Sequence, residues 1–411
     1  MFDPHTHIMK HPQRMALNSP EVRKFSEYLC LRTDHLTPDY ATCRLWLLDY
    51  ISEIGLDLVV DKEFAPGYPV IVASLPGTLP HIPSLLLNSH VDVAPAHPEH
   101  WTHDPFGGHV TQDGKVFGRG AQDMKCVGVQ HLELLRRIKR GGVQLQRTVY
   151  ISFVPDEEPL GSRGMKLFCE SEEFRALGVG VVLDEGLARE DVAMNAYYGE
   201  RHLFWATITF KGNPGHGSMF IADTAVGKMT KFLNTALKYR EEQQRKHSGG
   251  VCISDVNTIN IGMIHGGIQA NVVPNEFKVT IDCRIRHQEK FTEFKDLLYS
   301  WVDKAGGGHV DIVNQSENEN ISCTELSDKW WSAILTACQK HSIQLVPQIF
   351  PANTDSRFLR RLGIPCYGFS PINNTPVLLH DQDEWLGVDT FLRGIDILGD
   401  VVVEIAHAEE E

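Results

Sequence analysis

The chain lacks any excess of positive charge. Its 411 residues include 39 lysines and arginines against 53 aspartates and glutamates, which gives a formal net charge of −14. Nucleic acids and anionic membranes are bound through basic patches that displace counterions. The charge balance therefore argues against both kinds of partner, and we expect neither.

Long apolar segments are missing as well. No run approaches the ~20 consecutive apolar residues that a membrane-spanning helix needs. Residues 1–15 have no apolar stretch of the kind that secretory signals contain. We expect residues 1–19 to form a flexible N-terminal tail, and metal binding by His5, His7 and His11 is the less favoured alternative.

The cysteines do not form a disulfide framework. There are nine, an odd number, and none is spaced as a CxxC pair. This usage predicts reduced thiols and a cytoplasmic location. Cys126 follows one of the motifs described below and could be a nucleophile, but the sequence offers no partner that would activate it.

The length and the order of apolar patterns predict two structural units, because 411 residues exceed what one core usually serves. Over residues 20–196, helical and strand patterns alternate, which indicates an α/β unit with a mixed, mostly parallel sheet. Residues 197–313 read as strand, helix, two strands, helix and strand, an inserted α+β unit of ferredoxin-like order. Residues 314–411 then return to the first unit.

Side chains typical of metal ligands follow the apolar strands of the first unit. The strand predicted at residues 84–87 leads to His90 and Asp92, which point to one face of an extended chain, so that Asp92 can orient the imidazole. A glycine loop delivers Asp123 to the start of a predicted helix, where the residue could alternatively be only an N-cap. Glu157 and Glu158 follow the strand predicted at residues 148–154. In extended chain they face opposite ways, so one could bind metal while the other handles protons.

Two further candidates complete the set. Glu185 follows the strand predicted at residues 179–183, and His380 lies far downstream behind apolar residues. Loops at the carboxyl edge of a mostly parallel sheet gather functional sites. Two histidines and three carboxylates match what two zinc ions sharing one aspartate need. The sequence therefore predicts a two-metal centre.

Seven motifs in the same order resemble those of the di-zinc aminoacylase and carboxypeptidase family: NSHVDV, GRGAQDMKC, VPDEE, LDEG, PGHGS, NVVP and LLHDQDE. The segments EHWTHDPF, PANTDSRFLR and GFSPINNTPVLLHD are similar to its aminoacylase members, and the likeness runs from about Pro20 to the C-terminal helix. It implies a zinc-peptidase-like catalytic domain with an inserted dimerisation (lid) domain. It also implies a homodimeric enzyme that hydrolyses N-acyl-L-amino acids, preferably aliphatic ones, to a carboxylate and a free L-amino acid.

The resemblance further implies a role for each candidate residue. Glu157 would be the general base that activates a water bridging the two metals. The implied ligands are His90 and Glu185 for one zinc, Glu158 and His380 for the other, and Asp123 for both.

In the inserted unit, His216 of the PGHGS motif resembles the histidine that stabilises the oxyanion from the partner subunit. Asn271, Arg284 and Arg357 resemble the residues that hold the substrate carboxylate, although either arginine could instead form an ordinary surface ion pair. We expect the strand at residues 204–210 to be among those able to pair across a two-fold axis.

One departure from the family pattern affects the expected specificity. Pro159-Leu160-Gly161-Ser162 replaces the usual glycine-rich turn, and Pro159 should hold Glu158 in extended geometry.

Two alternative functions stay open. A metallo-dipeptidase or carboxypeptidase would use the same zinc set, whereas a metal-free binding protein predicts damaged ligands, and none is damaged.

Overall fold

The computed structural model describes residues 16–409, and the contacts between Cα atoms divide the chain into two units. Of the described residues, the first unit contains 16–198, 322–347 and 354–409. The second contains 199–321 and 348–353. His5, His7 and His11 of the predicted tail lie outside the described residues. Residues 16–19, also predicted as tail, belong to the fold, because Ala16 is buried and Ser19 Oγ caps the first helix.

The helices are α1 (Pro20–Cys30), α2 (Tyr40–Ile54), α3 (Lys125–Arg140), α4 (Met165–Cys169), α5 (Glu172–Ala176), α6 (Ala225–Ser248), α7 (Phe291–Lys304), α8 (Lys329–Lys340), α9 (Ser356–Arg361) and α10 (Val388–His407). The strands are β1 (Asp57–Ala65), β2 (Tyr68–Leu75), β3 (Ser84–His90), β4 (His109–Val110), β5 (Lys115–Phe117), β6 (Val149–Val154), β7 (Val179–Asp184), β8 (Met194–Glu200), β9 (His202–Lys211), β10 (Gly215–His216), β11 (Thr258–Gly266), β12 (Val272–Val273), β13 (Glu276–Ile285), β14 (His309–Ser316), β15 (Leu345–Phe350), β16 (Cys366–Gly368) and β17 (Trp385–Gly387).

A mixed sheet forms the centre of the first unit, in the order β1-β2-β6-β3-β7-β16-β8-β15. Its middle strands are parallel, because β3 pairs with both β6 and β7, and β7 pairs with β16. Toward the edges of the sheet the pairing is antiparallel: β1 pairs with β2, β2 with β6, and β16 with β8. The carboxyl ends of β3, β6 and β7 consequently share one edge, which confirms the predicted α/β class.

Alternate side chains of the parallel strands enter two cores. Leu85 and Leu87 of β3 pack in the core formed with α1, α2, α3, α8 and α10. Leu86 belongs to a smaller core on the other face, which includes residues of α4, α5 and α9. The sheet is therefore covered by helices on both faces, which explains why β3 is an unbroken buried run rather than an alternating one.

The first unit also contains a small antiparallel sheet, ordered β17-β5-β4. Trp385 of β17 is paired with Phe117 of β5. The chain that leads into Asp123 is thereby joined to the chain that follows His380.

In the second unit, the order β9, α6, β11, β13, α7, β14 is the predicted ferredoxin-like arrangement. The strands form an antiparallel sheet ordered β11-β13-β9-β14. The expectation that residues 204–210 pair across a two-fold axis is wrong, because β9 already has β13 on one side and β14 on the other. The sheet's edges are β11 and β14.

The state of the cysteines and the character of the helices complete the description of the fold. All nine cysteines are free thiols. Among residues 16–409, no helix combines the length and apolar character that crossing a bilayer requires.

Candidate metal centre

The first group of ligand-type atoms surrounds His90, which is the last residue of β3 and is 1% exposed. Its Nδ1 lies 2.8 Å from the carbonyl oxygen of Asp92, which fixes the orientation of the ring. Its Nε2 lies 2.9 Å from Asp123 Oδ1 and 3.8 Å from Glu185 Oε2. We call His90, Asp123 and Glu185 the first triad.

A second triad shares Asp123 with the first. His380 Nε2 lies 3.6 Å from Asp123 Oδ2 and 3.0 Å from Glu158 Oε2. Within each triad, the candidate ligand atoms all lie within 4.8 Å of one another. The structure therefore brings together all five predicted ligands, with one oxygen of Asp123 directed to each histidine.

The local structure around Asp123 rules out its alternative role as a helix cap. Helix α3 begins at Lys125, its N-cap residue is Met124, and no side chain caps it. The peptide bond between Asp123 and Met124 is cis. Because the Asp123 carboxylate does not cap α3, it is available to both histidines.

Glu157 and Glu158 lie in a turn after β6, not in extended chain as expected. The Leu160 N–H donates to the Glu157 carbonyl at 2.7 Å, and the Gly161 N–H donates to the Asp156 carbonyl at 2.5 Å. The two glutamates therefore do not continue β6 as extended chain. The turn still separates the two side chains, because Glu158 joins the second triad while Glu157, which is 8% exposed, joins neither.

Asp92 orients this turn, a role that was not predicted. Its carboxylate accepts the N–H groups of Glu157 at 3.1 Å and of Glu158 at 3.0 Å. It lies 3.8 Å from His90 Nδ1, so the carbonyl of Asp92, not its carboxylate, orients the imidazole. The spacing of His90 and Asp92 marked the aspartate as important, but nothing in it pointed to residues 157 and 158.

Electrostatic interactions within the triads are strong. Burial opposes the charged form of His90, but hydrogen bonds with Asp123 and Glu185 outweigh it and raise the pKa of His90 well above its usual value. Hydrogen bonds with Asp123 and Glu158 raise the pKa of His380 to about 10. Burial raises the pKa of Glu157 well above the ordinary value, and the charge of Glu185 adds to the effect. This concentration of negative charge attracts cations.

The donor set fits divalent metal ions. Imidazole nitrogens and carboxylate oxygens are ligands that zinc prefers, and an aspartate with one oxygen toward each triad can serve two ions. Glu158 Oε1 supports the same conclusion, because it is buried and has no hydrogen-bond partner. A cation would satisfy that oxygen.

Cys126 is not a competing nucleophile in this arrangement. Its thiol is completely buried and donates to the Gln122 carbonyl at 3.4 Å. Burial raises the pKa of Cys126 well above that of a free thiol, so the reactive thiolate is disfavoured.

Arg357 lies in the first unit but is not a surface ion pair. It is 4% exposed, and its guanidinium donates to the Thr354 carbonyl at 2.9 Å and to the Leu160 carbonyl at 2.6 Å. The second bond attaches it to the turn that carries Glu157 and Glu158.

The remaining predicted residues lie in the second unit. His216 is exposed, its Nδ1 lies 2.8 Å from Ser218 Oγ, and β10 pairs it with Val272 of β12. Asn271 is its neighbour, because the Gly217 N–H donates to the Asn271 carbonyl at 2.8 Å. The structure thus brings His216 and Asn271 together at one short two-stranded sheet.

Arg284 lies on β13, in the four-stranded sheet. Its guanidinium donates to both carboxylate oxygens of Asp282, at 2.9 and 3.2 Å, and to Asn353 Oδ1 at 3.0 Å. It is therefore held in a fixed orientation. Asp282 and Asn353 were not among the predicted residues.

Comparisons with known proteins identify relatives that match most of the chain. Residues 86–404 match the model of Peptidase family M20/M25/M40. Aminoacylase-1 of Sus scrofa is 43% identical over 389 residues, which cover 94% of this chain and 95% of the relative. Aminoacylase-1 of Dictyostelium discoideum is 41% identical over 402 residues, covering 94% and 98%.

Solved structures share the fold at low identity. The M20 family metallo-carboxypeptidase Sso-CP2 from Sulfolobus solfataricus superposes with a TM-score of 0.74 at 17% identity, covering 94% of this chain and 99% of that one. The YXEP protein of Bacillus subtilis, described as a dinuclear metal binding peptidase of the M20 family, gives 0.69 at 13% identity, covering 95% and 99%.

Proposed function

The chain belongs to peptidase family M20/M25/M40, and from that premise we propose that it is a di-zinc aminoacylase. Its reaction would be the hydrolysis of N-acyl-L-amino acids, preferably with aliphatic side chains, to a carboxylate and a free L-amino acid. Relatives named aminoacylase-1 that are 41–43% identical over at least 92% of the chain support this substrate class. The nine free thiols support a cytoplasmic location.

The observation that carries the proposal is the pair of triads joined by Asp123. Zinc would be held by His90, Asp123 and Glu185 on one side and by Asp123, Glu158 and His380 on the other. When bound, two such ions supply Lewis acidity toward an amide carbonyl and make water a stronger acid. A metal-free binding protein would not need five intact ligands that converge in this way.

Glu157 is proposed as the general base. It adjoins a ligand but belongs to neither triad, and its carboxylate would accept the proton of the attacking water and return it to the leaving nitrogen. The raised pKa of Glu157 suits this task, because a carboxyl group that holds a proton more firmly is a better base near neutral pH. Asp92 would position Glu157 by accepting its backbone N–H.

His216 is proposed to donate a hydrogen bond to the developing oxyanion, acting from a second copy of the chain in a homodimer. Its exposure is consistent with a role outside its own fold. The β11 edge of the second unit offers a surface for association, since Met263 and Ile264 on it are each 51% exposed. Such a donor typically contributes ~3 to 4 kcal/mol to transition-state stabilisation.

Arg284, Asn271 and Arg357 are proposed to bind the α-carboxylate of the substrate. Arg284 is supported by the fixed plane of its guanidinium, which suits a planar carboxylate. Arg357 also has a second role, because its guanidinium donates to the Leu160 carbonyl and so holds the turn at that residue.

The test is to measure zinc content and the release of free amino acid from N-acetyl-methionine by the purified protein, with a dipeptide as the matched control. We expect two zinc ions per chain and faster release from the N-acetyl substrate. Faster cleavage of the dipeptide would assign the chain to the peptidases of the family. Absence of both zinc and hydrolysis would refute the proposed function.

A further inference from the structure

The loop that carries Asp123 is held to the segment that carries His380 by two buried side chains, Glu384 and Gln122. Glu384 is fully buried, and Gln122 is 2% exposed. Each side chain reaches from its own segment to the other. We call the two residues the clamp.

Glu384 binds the Asp123 loop with both carboxylate oxygens. Its Oε1 accepts the N–H of Gln122 at 2.7 Å and the N–H of Asp123 at 3.3 Å. Its Oε2 accepts the Arg119 guanidinium at 2.8 Å and the Gly120 N–H at 3.2 Å. A buried carboxylate would be costly without such partners, so these contacts hold the loop in one conformation.

Gln122 makes the reciprocal contacts. Its Nε2 donates to the carbonyls of Pro376 at 3.1 Å and Trp385 at 2.9 Å. Its Oε1 accepts the Leu378 N–H at 3.1 Å. The side chain of Gln122 therefore uses both its donor and its acceptor atoms on the opposite segment.

The contacts of the clamp lie on both sides of His380. Gln122 binds the chain at Leu378, two residues before the histidine, and Glu384 follows four residues after it. The His380 side chain itself is 54% exposed, so packing does little to fix its position. His90 differs, because it ends a central strand and is 1% exposed.

We propose that Glu384 and Gln122 are positioning residues that set His380 at the distance from Asp123 which the second triad needs, and that they control the affinity of that triad for metal. The inference rests on the proposed metal binding. Residues that orient ligands without touching the metal typically change metal affinity 10- to 100-fold when they are replaced. The first triad shares Asp123 with the second but does not include His380, so its affinity should fall less than that of the second triad.

The experiment equilibrates the full-length protein in zinc buffers of graded free Zn²⁺ concentration and measures zinc retained per chain. Glu384→Gln and Gln122→Ala are compared with the wild type. Gln382→Ala is the matched control, since Gln382 is an exposed residue of the same segment. Circular dichroism of each variant verifies the fold. Gln122→Ala also leaves the ion pair between Glu384 and Arg119 in place, which guards against a folding defect.

In both clamp variants, we expect half-filling of one site to require 10- to 100-fold more free Zn²⁺ and half-filling of the other to shift by a clearly smaller factor, while Gln382→Ala changes neither. Wild-type affinity at both sites in folded clamp variants would overturn the inference, and so would equal weakening of both sites. If the wild type itself fails to bind two ions, the proposed function fails instead.

Discussion

The two regions that carry the predicted catalytic residues are built in different ways. In the first unit, the ligands are mostly buried, and the backbone N–H groups of their loops donate hydrogen bonds to the carboxylates of Asp92 and Glu384. In the second unit, His216 is exposed on a short two-stranded sheet, and its Nδ1 contacts Ser218 Oγ. Substitutions of the ligands and of Glu157 should therefore alter metal binding or the chemistry that depends on it, whereas substitutions in the second region should leave metal binding unchanged.

The largest loss of turnover that leaves both metals bound is expected for Glu157→Gln. The variant should keep its fold and two zinc ions while kcat falls roughly 10³- to 10⁴-fold, because only proton transfer is removed. Steady-state kinetics and metal analysis of the same preparation check this. Loss of an ion from Glu157→Gln would show that the base and a ligand have been confused.

A somewhat smaller effect is expected for His216→Ala. Removing one donor to the oxyanion should lower kcat roughly 10²- to 10³-fold. Zinc content and thermal stability should stay at wild-type values, because the side chain is exposed. A drop in zinc content would break the proposed division of roles between the two regions.

Mixing Glu157→Gln subunits with His216→Ala subunits tests whether His216 acts in a partner chain. Each heterodimer would then contain one site with both defects and one intact site, so random exchange should restore about a quarter of wild-type activity. If exchange is demonstrated by mass spectrometry and activity remains at the level of the separate variants, His216 does not act across the dimer.

The smallest effect is expected for the carboxylate-binding arginines. Arg284→Ala and Arg357→Ala should each raise KM for N-acyl amino acids roughly 10- to 100-fold, and much less for the corresponding amides, since a hydrogen bond between charged groups contributes about 1.5–3 kcal/mol. Kinetics on matched acid and amide substrates give the comparison. If Arg357→Ala raises KM equally for the acid and the amide, Arg357 does not bind the substrate carboxylate and only anchors the turn at Leu160.

Much of the site could be predicted because several of its residues directly follow strands that the sequence pattern marks. Apolar runs marked β3, β6 and β7, and parallel strands place the residues that follow them at one edge. His90, Glu158 and Glu185 were found in this way. The family resemblance, confirmed by the match over residues 86–404, added the order of the motifs.

The features that were missed depend on partners distant in sequence. Asp92 binds residues 157 and 158, and Glu384 binds residues 119–123, so no local pattern records either contact. Residues 157 and 158 were expected to be extended chain, because the strand pattern that ends at residue 154 does not record the hydrogen bond from the Leu160 N–H to the Glu157 carbonyl. The central position of β9 was missed because local pattern gives strands but not their order in a sheet.

The central claim is that two metal ions share Asp123, and zinc content per chain in single ligand variants tests it most directly. The variants His90→Ala, His380→Ala and Asp123→Ala would be purified alongside the wild type, equilibrated in one zinc buffer and analysed by mass spectrometry. The account predicts two ions in the wild type, one in each histidine variant and none in Asp123→Ala. One or two ions retained by Asp123→Ala would contradict it.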